Sequence, residues 1–119
     1  MSHLVTIQTQ MRDVTALTRA CALRQLPVPE YRTARLFQSE ATGYAVALPD
    51  WRYPVVCEVS TGTLHYDHFE GRWGDIAHLH GLLQQYAIEK TRIEALRCGR
   101  HVTEQRLPDG SVRLQVAAG

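Results

Sequence analysis

Cysteine is scarce, long apolar runs are missing and neither sign of charge dominates, and each of these absences closes off a class of protein. The three cysteines, Cys21, Cys57 and Cys98, lie far apart without CxxC spacing, so no disulfide framework or cysteine-based zinc site is written into the chain. An odd count without an export signal points to reduced thiols, two of them on apolar faces. No apolar run approaches the roughly 20 residues of a membrane-spanning helix, and the N-terminus lacks the basic-then-apolar plan of a signal peptide. The expectation is a cytoplasmic protein without membrane contact. A formal net charge of +1 gives no electrostatic argument for nucleic acid or an anionic surface. The glycines Gly43, Gly62, Gly71 and Gly74 are isolated turn residues, so a phosphate loop, a dinucleotide fingerprint and a nucleophile elbow are all absent.

What is present suffices for one ordinary domain over residues 1–119. With 45% hydrophobic and 21% charged residues, such a chain buries about two thirds of its unfolded surface without metal, cofactor or disulfide. Its organising stretch runs from Leu64 to Gly99. Asp75 is placed to cap a helix whose apolar residues Ile76, Leu79, Leu82, Leu83, Tyr86, Ile93 and Leu96 define one buried face. Gln84, Gln85, Glu89, Lys90, Arg92, Glu94 and Arg97 fall on a solvated face, with pairs at Glu89 and Arg92 and at Lys90 and Glu94. Gly99 supplies the left-handed residue that ends the helix.

The rest of the chain reads as strands around a second helix. Residues 4–9 are a β-branched strand placed inside a sheet, and Asp13 caps a helix over residues 14–25, which Pro27 and Pro29 end. Residues 32–38 and 43–48 form a hairpin across 39–42, with Tyr44, Val46 and Leu48 alternating against small alanines that could lie beneath a helix. Strands follow at 55–59 and 63–69, turning at Thr61-Gly62, and a last hairpin joins 101–107 to 111–117 around Pro108-Asp109-Gly110. The sum is an α+β fold: a largely antiparallel twisted sheet of about seven strands with two helices on one face, ordered as two strand-helix-hairpin units. The other sheet face, if apolar and free, would be a surface for a homo-oligomer or a partner.

Several linked segments carry a resemblance. Met1-Ser2-His3, the run from Trp51 through Cys57, Tyr66-Asp67 followed by Gly71-Arg72-Trp73-Gly74-Asp75, and Tyr86-Ala87-Ile88-Glu89-Lys90 together resemble a bacterial and plastid family of unknown function. It is the family that includes the plastid-encoded hypothetical chloroplast open reading frame thirty-five, and the resemblance spans essentially the whole chain. It implies no established activity, cofactor or catalytic residue. It does imply an accessory or adaptor role beside an AAA-type ATPase, and a stromal location for a plastid-encoded member.

Three chemistries compete for the conspicuous residues. Trp51-Arg52 and Arg72-Trp73 fall in loops, and Trp and Arg are the residues most enriched at binding hot spots. A protein-binding surface is therefore expected over Trp51, Arg52, Tyr53, Asp67, Arg72, Trp73 and Asp75. The opposing view is that the indoles cap the core while the arginines pair with Asp50 and Asp75. A metal site from His65, Asp67 and a helix histidine lacks a known spacing, and His78 and His80 diverge by roughly 200° around a helix. A thiol-imidazole pair of Cys57 with His65 or His68 would need a reactive thiol, whereas Val55-Val56-Cys57 reads as core. The residues favour a non-enzymatic interaction module, with a ligand-binding or catalytic cleft around Trp51/Arg52 and Arg72/Trp73 as the alternative.

Overall fold

The computed structural model describes residues 4–68 and 72–118. Residues 69–71 lie outside them, and with them the expected strand end at Phe69. Strand β1 (Leu4–Gln8) leads into helix α1 (Val14–Leu23), which starts where the Asp13 carboxylate accepts the backbone N–H groups of Thr15 and Ala16 at 2.9 and 3.2 Å. It ends two residues early, because Gln25 adopts φ 60° and the helix closes in a Schellman turn. Leu26 N–H bonds Cys21 C=O and Gln25 N–H bonds Ala22 C=O. Strands β2 (Glu30–Arg35), β3 (Glu40–Val46), β4 (Val55–Glu58) and β5 (Thr63–Asp67) precede the long helix α2 (Ile76–Arg97) and the hairpin strands β6 (Arg100–Arg106) and β7 (Val112–Ala118). The fold is α+β, with two helices and seven antiparallel strands among the described residues.

The strands form two sheets rather than one. The larger has the order β1-β5-β4-β3-β2 and the smaller pairs β6 with β7. The separation follows from the length of α2, whose 22 residues span about 33 Å and carry the last hairpin past the end of the large sheet. The order strand-helix-hairpin does occur twice along the chain, yet among the described residues the second hairpin joins no other strand. Among the described residues β1 is an edge strand, against the expectation of an interior one, since β5 is its one strand partner there.

Both helices lie on one sheet face. Val46, Val55, Cys57, Leu64 and Tyr66 pack there against Ala16, Leu17, Ala20 and Cys21 of α1 and Leu79, Leu82, Tyr86 and Ile93 of α2. The second face is largely polar, and along β1 it is exposed at Leu4, Thr6 and Gln8. Its apolar residues Ala34, Ala45 and Val56 are buried together, so Ala45 lies opposite the helices rather than beneath one. The β2–β3 hairpin reaches the far end of β5, where Phe37 N–H donates to Asp67 Oδ2 at 3.1 Å. Gly43 permits this close approach, because a Cβ there would lie 2.6 Å from Cys57 O. Polar groups pair elsewhere on the face: Thr6 Oγ1 lies 3.1 Å from His65 Nδ1, and His65 Nε2 lies 3.0 Å from Glu58 Oε1, while Leu4 at its edge is 39% exposed.

α2 departs from a single apolar stripe. Leu79, Leu82, Tyr86 and Ile93 are buried toward the sheet, but so are Ile88 and Ala95, which point roughly 200° away. The β6–β7 hairpin occupies that second side, where Gln84 Nε2 donates to Gly110 O at 3.3 Å and Arg92 pairs with Glu104. Two serviced faces leave no room for the expected pattern. Gln85 and Glu89 are buried rather than solvated, and Leu96 is 63% exposed because the core ends before it. The capping expectations hold: Asp75 accepts Ala77 N–H at 2.9 Å, and Gly99 follows the helix at φ 67°.

Candidate functional site

The connection from β3 to β4 and the residues preceding α2 meet at one end of the large sheet. Buried Leu48 anchors the first segment, and Trp51 N–H closes a turn onto Leu48 O at 3.1 Å. Arg52 N–H then donates to Trp73 O at 2.8 Å, and Trp73 N–H to His68 O at 3.0 Å. These main-chain bonds hold the two Trp/Arg pairs side by side.

The two indoles nevertheless serve different sides. Trp51 lies against the helix-side core, edge-on to Tyr66 at 5.8 Å between ring centres, with its indole N–H donated to Asp75 O at 3.0 Å. Its ring covers Gly74, where a Cβ would lie 2.5 Å from indole carbons. Trp51 is thus seated as a lid on the core. Trp73 faces another cluster, with Phe37 at 4.9 Å and Tyr53 at 5.4 Å. The Arg52 guanidinium stacks over the rings of Tyr53 and Trp73 at 5.7 and 5.8 Å.

The carboxylates of the expected surface are committed to the fold. Asp75 caps α2, and Asp67 is 1% exposed beneath the Phe37 backbone. Among the described residues Asp67 Oδ1 accepts no hydrogen bond, which leaves half of a buried carboxylate without compensation there. Among the described residues no carboxylate lies within 4 Å of Arg52, so the expected brace to Asp50 is absent and the cation rests on aromatic rings. Arg72 is exposed. Phe37 was not foreseen as a member. The available signal was an aromatic residue set in a hairpin turn, beside Gln38 and Ser39, where polar residues usually stand.

The other candidate chemistries are separated by the sheet. Cys57 pairs in register with Leu64 and points to the helix side, while its neighbour in sequence, Val56, pairs with His65 on the other face. No thiol-imidazole pair with His65 forms. Burial, with Cys21 nearby as a second cause, pushes the Cys57 thiol up to about 12, where it stays protonated and inert at neutral pH. Burial likewise raises Cys21 to about 11. His65 and Asp67 share the face opposite the helices, out of reach of His78 and His80. Among the described residues no group of three or more His, Cys, Asp or Glu side chains is arranged to hold a metal ion. Open cavities of about 740, 490 and 330 Å³ lie along α2 among the described residues.

No helix among the described residues is long and apolar enough to cross a membrane. No protein-family model, curated protein or solved structure matches the chain.

Proposed function

We propose that this chain is a non-enzymatic interaction module that engages a protein partner through Arg52, Tyr53, Trp73 and Phe37. The observation that carries this reading is the guanidinium of Arg52, which lies over two rings without a carboxylate within ion-pair distance among the described residues. An exposed arginine held by stacking keeps its planar donors available for a partner's carboxylate or carbonyl groups. The backbone bond from Arg52 to Trp73 fixes the pair before binding, so little entropy is lost on docking. The seven-residue surface expected from sequence contracts accordingly, because Trp51 and Asp75 support the fold and Asp67 is buried. The resemblance to the plastid and bacterial family makes an AAA-type ATPase the first partner to test.

Arg52→Ala tests the proposal directly. Capture of the partner from the native host should fall by about ten-fold or more, while the melting temperature stays nearly constant. A loss of stability with a proportional loss of capture would return Arg52 to a bracing role, and unchanged capture would remove this surface.

A further inference from the structure

We infer that the outer edge of β7 is a homodimer surface, on which a second copy of this chain adds its own β7 antiparallel about a two-fold axis at Gln115. The incompleteness of the last hairpin is the first observation. Among the described residues β6 and β7 pair with each other and with no other strand, whereas an isolated two-stranded ribbon is marginal and a sheet gains stability from about three strands upward. Val102, Val112 and Leu114 stay half-buried and Val116 is 46% exposed. Leu107 N–H donates to Ser111 O at 2.9 Å, which fixes the alternation along the ladder, so that His101, Thr103 and Gln105 bond Ala117, Gln115 and Arg113. The N–H and C=O groups of Val112, Leu114 and Val116 are therefore directed outward.

The strand is complementary to itself. An antiparallel register centred on Gln115 pairs every residue from Val112 to Ala118 and places Leu114 opposite Val116 of the second copy. Both residues direct their main-chain groups outward, and their side chains share the α2 side with Val112. On the other side of the strand Arg113 falls opposite Ala117 of the second copy and Gln115 opposite its own copy, so no like charges meet. The outer edge of β6 lacks this property. Its full-length register, centred on Thr103, sets Arg100 against Arg106 of the second copy, and the register centred on Glu104 sets that carboxylate against itself. Glu104 is also engaged by Arg92. Charge therefore selects β7 for self-pairing.

The flank of α2 beside β7 fits the same occupant. An open groove of about 330 Å³ runs there between helix and strand, with Thr91, Ala95, Cys98 and Val116 among its lining. Arg92 on the opposite flank pairs with Glu104 of β6, so the helix lies over the midline of the hairpin. Across a junction of two β7 strands the midlines of the two hairpins stand two strand spacings apart, about 9.6 Å, which falls within the roughly 8–10 Å of packed helices. A two-fold axis normal to the sheet keeps both α2 helices on one face, where the second copy's helix and its Leu114 close the groove over Val116. Small side chains at Ala87, Thr91 and Cys98 permit that approach. The charges on this flank are balanced before association: Lys90 Nζ lies 3.0 Å from Asp13 Oδ2 and 2.9 Å from Glu94 Oε1, and Arg97 Nη1 lies 3.1 Å from Glu94 Oε1. Two such clusters meet without leaving a charge unpaired. One strand and one helix flank make a small interface, so the association is weak and reversible. The surface is separate from Arg52 and does not rest on its role.

Sedimentation velocity of the full chain at rising concentration tests the inference. A monomer–dimer equilibrium is expected. Val116→Lys, at an exposed position, should weaken it by about ten-fold or more, with the melting temperature of the dilute, monomeric chain unchanged. Cross-linking places the axis. At the centre of the register Gln115 and its copy form a non-hydrogen-bonded pair with Cα atoms about 4.5 Å apart, a separation that a disulfide spans. With the exposed Cys98 removed by Cys98→Ser, Gln115→Cys should give a disulfide-linked dimer under mild oxidation, and Thr103→Cys, at the corresponding position of β6, should not. Amide exchange at Leu114 and Val116 should slow as the concentration rises, while at Val102 and Glu104, on the outer edge of β6, it should not change. A chain that remains monomeric at about 1 mM would overturn the inference, as would growth beyond a dimer, since a two-fold contact closes on itself. So would a dimer that ignores Val116→Lys, one that cross-links as readily through Thr103→Cys as through Gln115→Cys, or one that is lost with Arg52→Ala, which would assign association to the other surface.

Discussion

Gly74→Ala separates the packing role of Trp51 from any docking role, and its cost can be worked from the contact itself. A Cβ on Gly74 would lie 2.5 Å from the Cδ1 and Cδ2 atoms of the indole, whereas ordinary carbon contacts are about 3.5–4.0 Å. The ring must therefore move by about 1 Å. It cannot do so and keep both its edge-on contact with Tyr66 at 5.8 Å and its hydrogen bond to Asp75 O at 3.0 Å. Overpacking of this kind costs about 1–3 kcal/mol and a weakened hydrogen bond about 1 more, so a loss of about 2–4 kcal/mol is expected. For a domain of this size that corresponds to a fall of roughly 8–16 °C in melting temperature. Urea unfolding followed by circular dichroism and indole emission measures both the loss and the displacement of Trp51. Gly81→Ala is the internal control, because the obstacle there is the flexible Arg24 guanidinium, 2.5 Å from the added carbon. Relieving a mid-helix glycine should then stabilise the chain by about 0.5–1 kcal/mol. A Gly74→Ala variant within about 0.5 kcal/mol of the parent, with unchanged emission, would refute the seating of Trp51 on Gly74.

Two further expectations concern titrating groups. With Cys21 and Cys57 raised by burial to about 11 and 12 and Cys98 exposed, a chromogenic disulfide reagent at pH 8 should label one thiol quickly and the other two only on unfolding; fast labelling of a second thiol would contradict the buried core. Burial acts to raise the Asp13 carboxyl, but the hydrogen bond from Lys90 and those from the Ala16 and Thr15 amides outweigh it and hold the carboxyl below its ordinary 3.8. A depressed carboxyl contributes stability that is present above its unfolded value and lost as pH falls through its folded one. Unfolding free energies measured at pH 6 and pH 3 should therefore differ less in Lys90→Met than in the parent, and equal acid losses would show that Lys90 does not hold Asp13.

The parts of this fold legible in the sequence are those decided locally. Asp13 and Asp75 could be read as caps because a cap needs only its own next three residues, and Thr61-Gly62 and Pro108-Asp109-Gly110 mark turns by their own conformational preferences. The edge position of β1 was not legible, since its β-branched residues suit an interior strand equally well. Nor was the burial of Ala34, Ala45 and Val56, which depends on Gly43 letting the β2–β3 hairpin approach β4. At the candidate site, Trp51, Arg52, Tyr53 and Trp73 stood out by residue type in loops, and the structure makes them neighbours. The opposite orientations of the two indoles depend on Gly74 and Phe37, residues whose effect appears only when the sheet brings them together.

The two faces of α2 set a limit on how firmly the last hairpin is held. Ile88 and Ala95 are buried beneath it, but its own apolar residues Val102, Val112 and Leu114 are only half-buried and Val116 is 46% exposed. So small an apolar area offsets little of the entropy of ordering two strands. Its placement falls instead to directed polar contacts. Glu89 is buried and accepts Gln85 Nε2 at 3.0 Å; Arg92 Nε lies 3.6 Å from the same carboxylate oxygen, and Arg92 also pairs with Glu104 of β6. Contacts of this kind specify a position more than they stabilise it, so the hairpin should open at a lower free energy than the large sheet. The Leu107 N–H bond to Ser111 O at 2.9 Å sets the ladder so that Thr103 and Gln115 form a hydrogen-bonded pair, as Val56 and His65 do in the sheet. Native-state amide exchange should therefore be faster at Thr103 and Gln115 than at Val56 and His65. Arg92→Gln should widen that difference, because it removes the charge shared by Glu89 and Glu104. Equal protection at both pairs would instead make the hairpin part of the same cooperative unit as the sheet and assign its stability to apolar contact with Ile88 and Ala95.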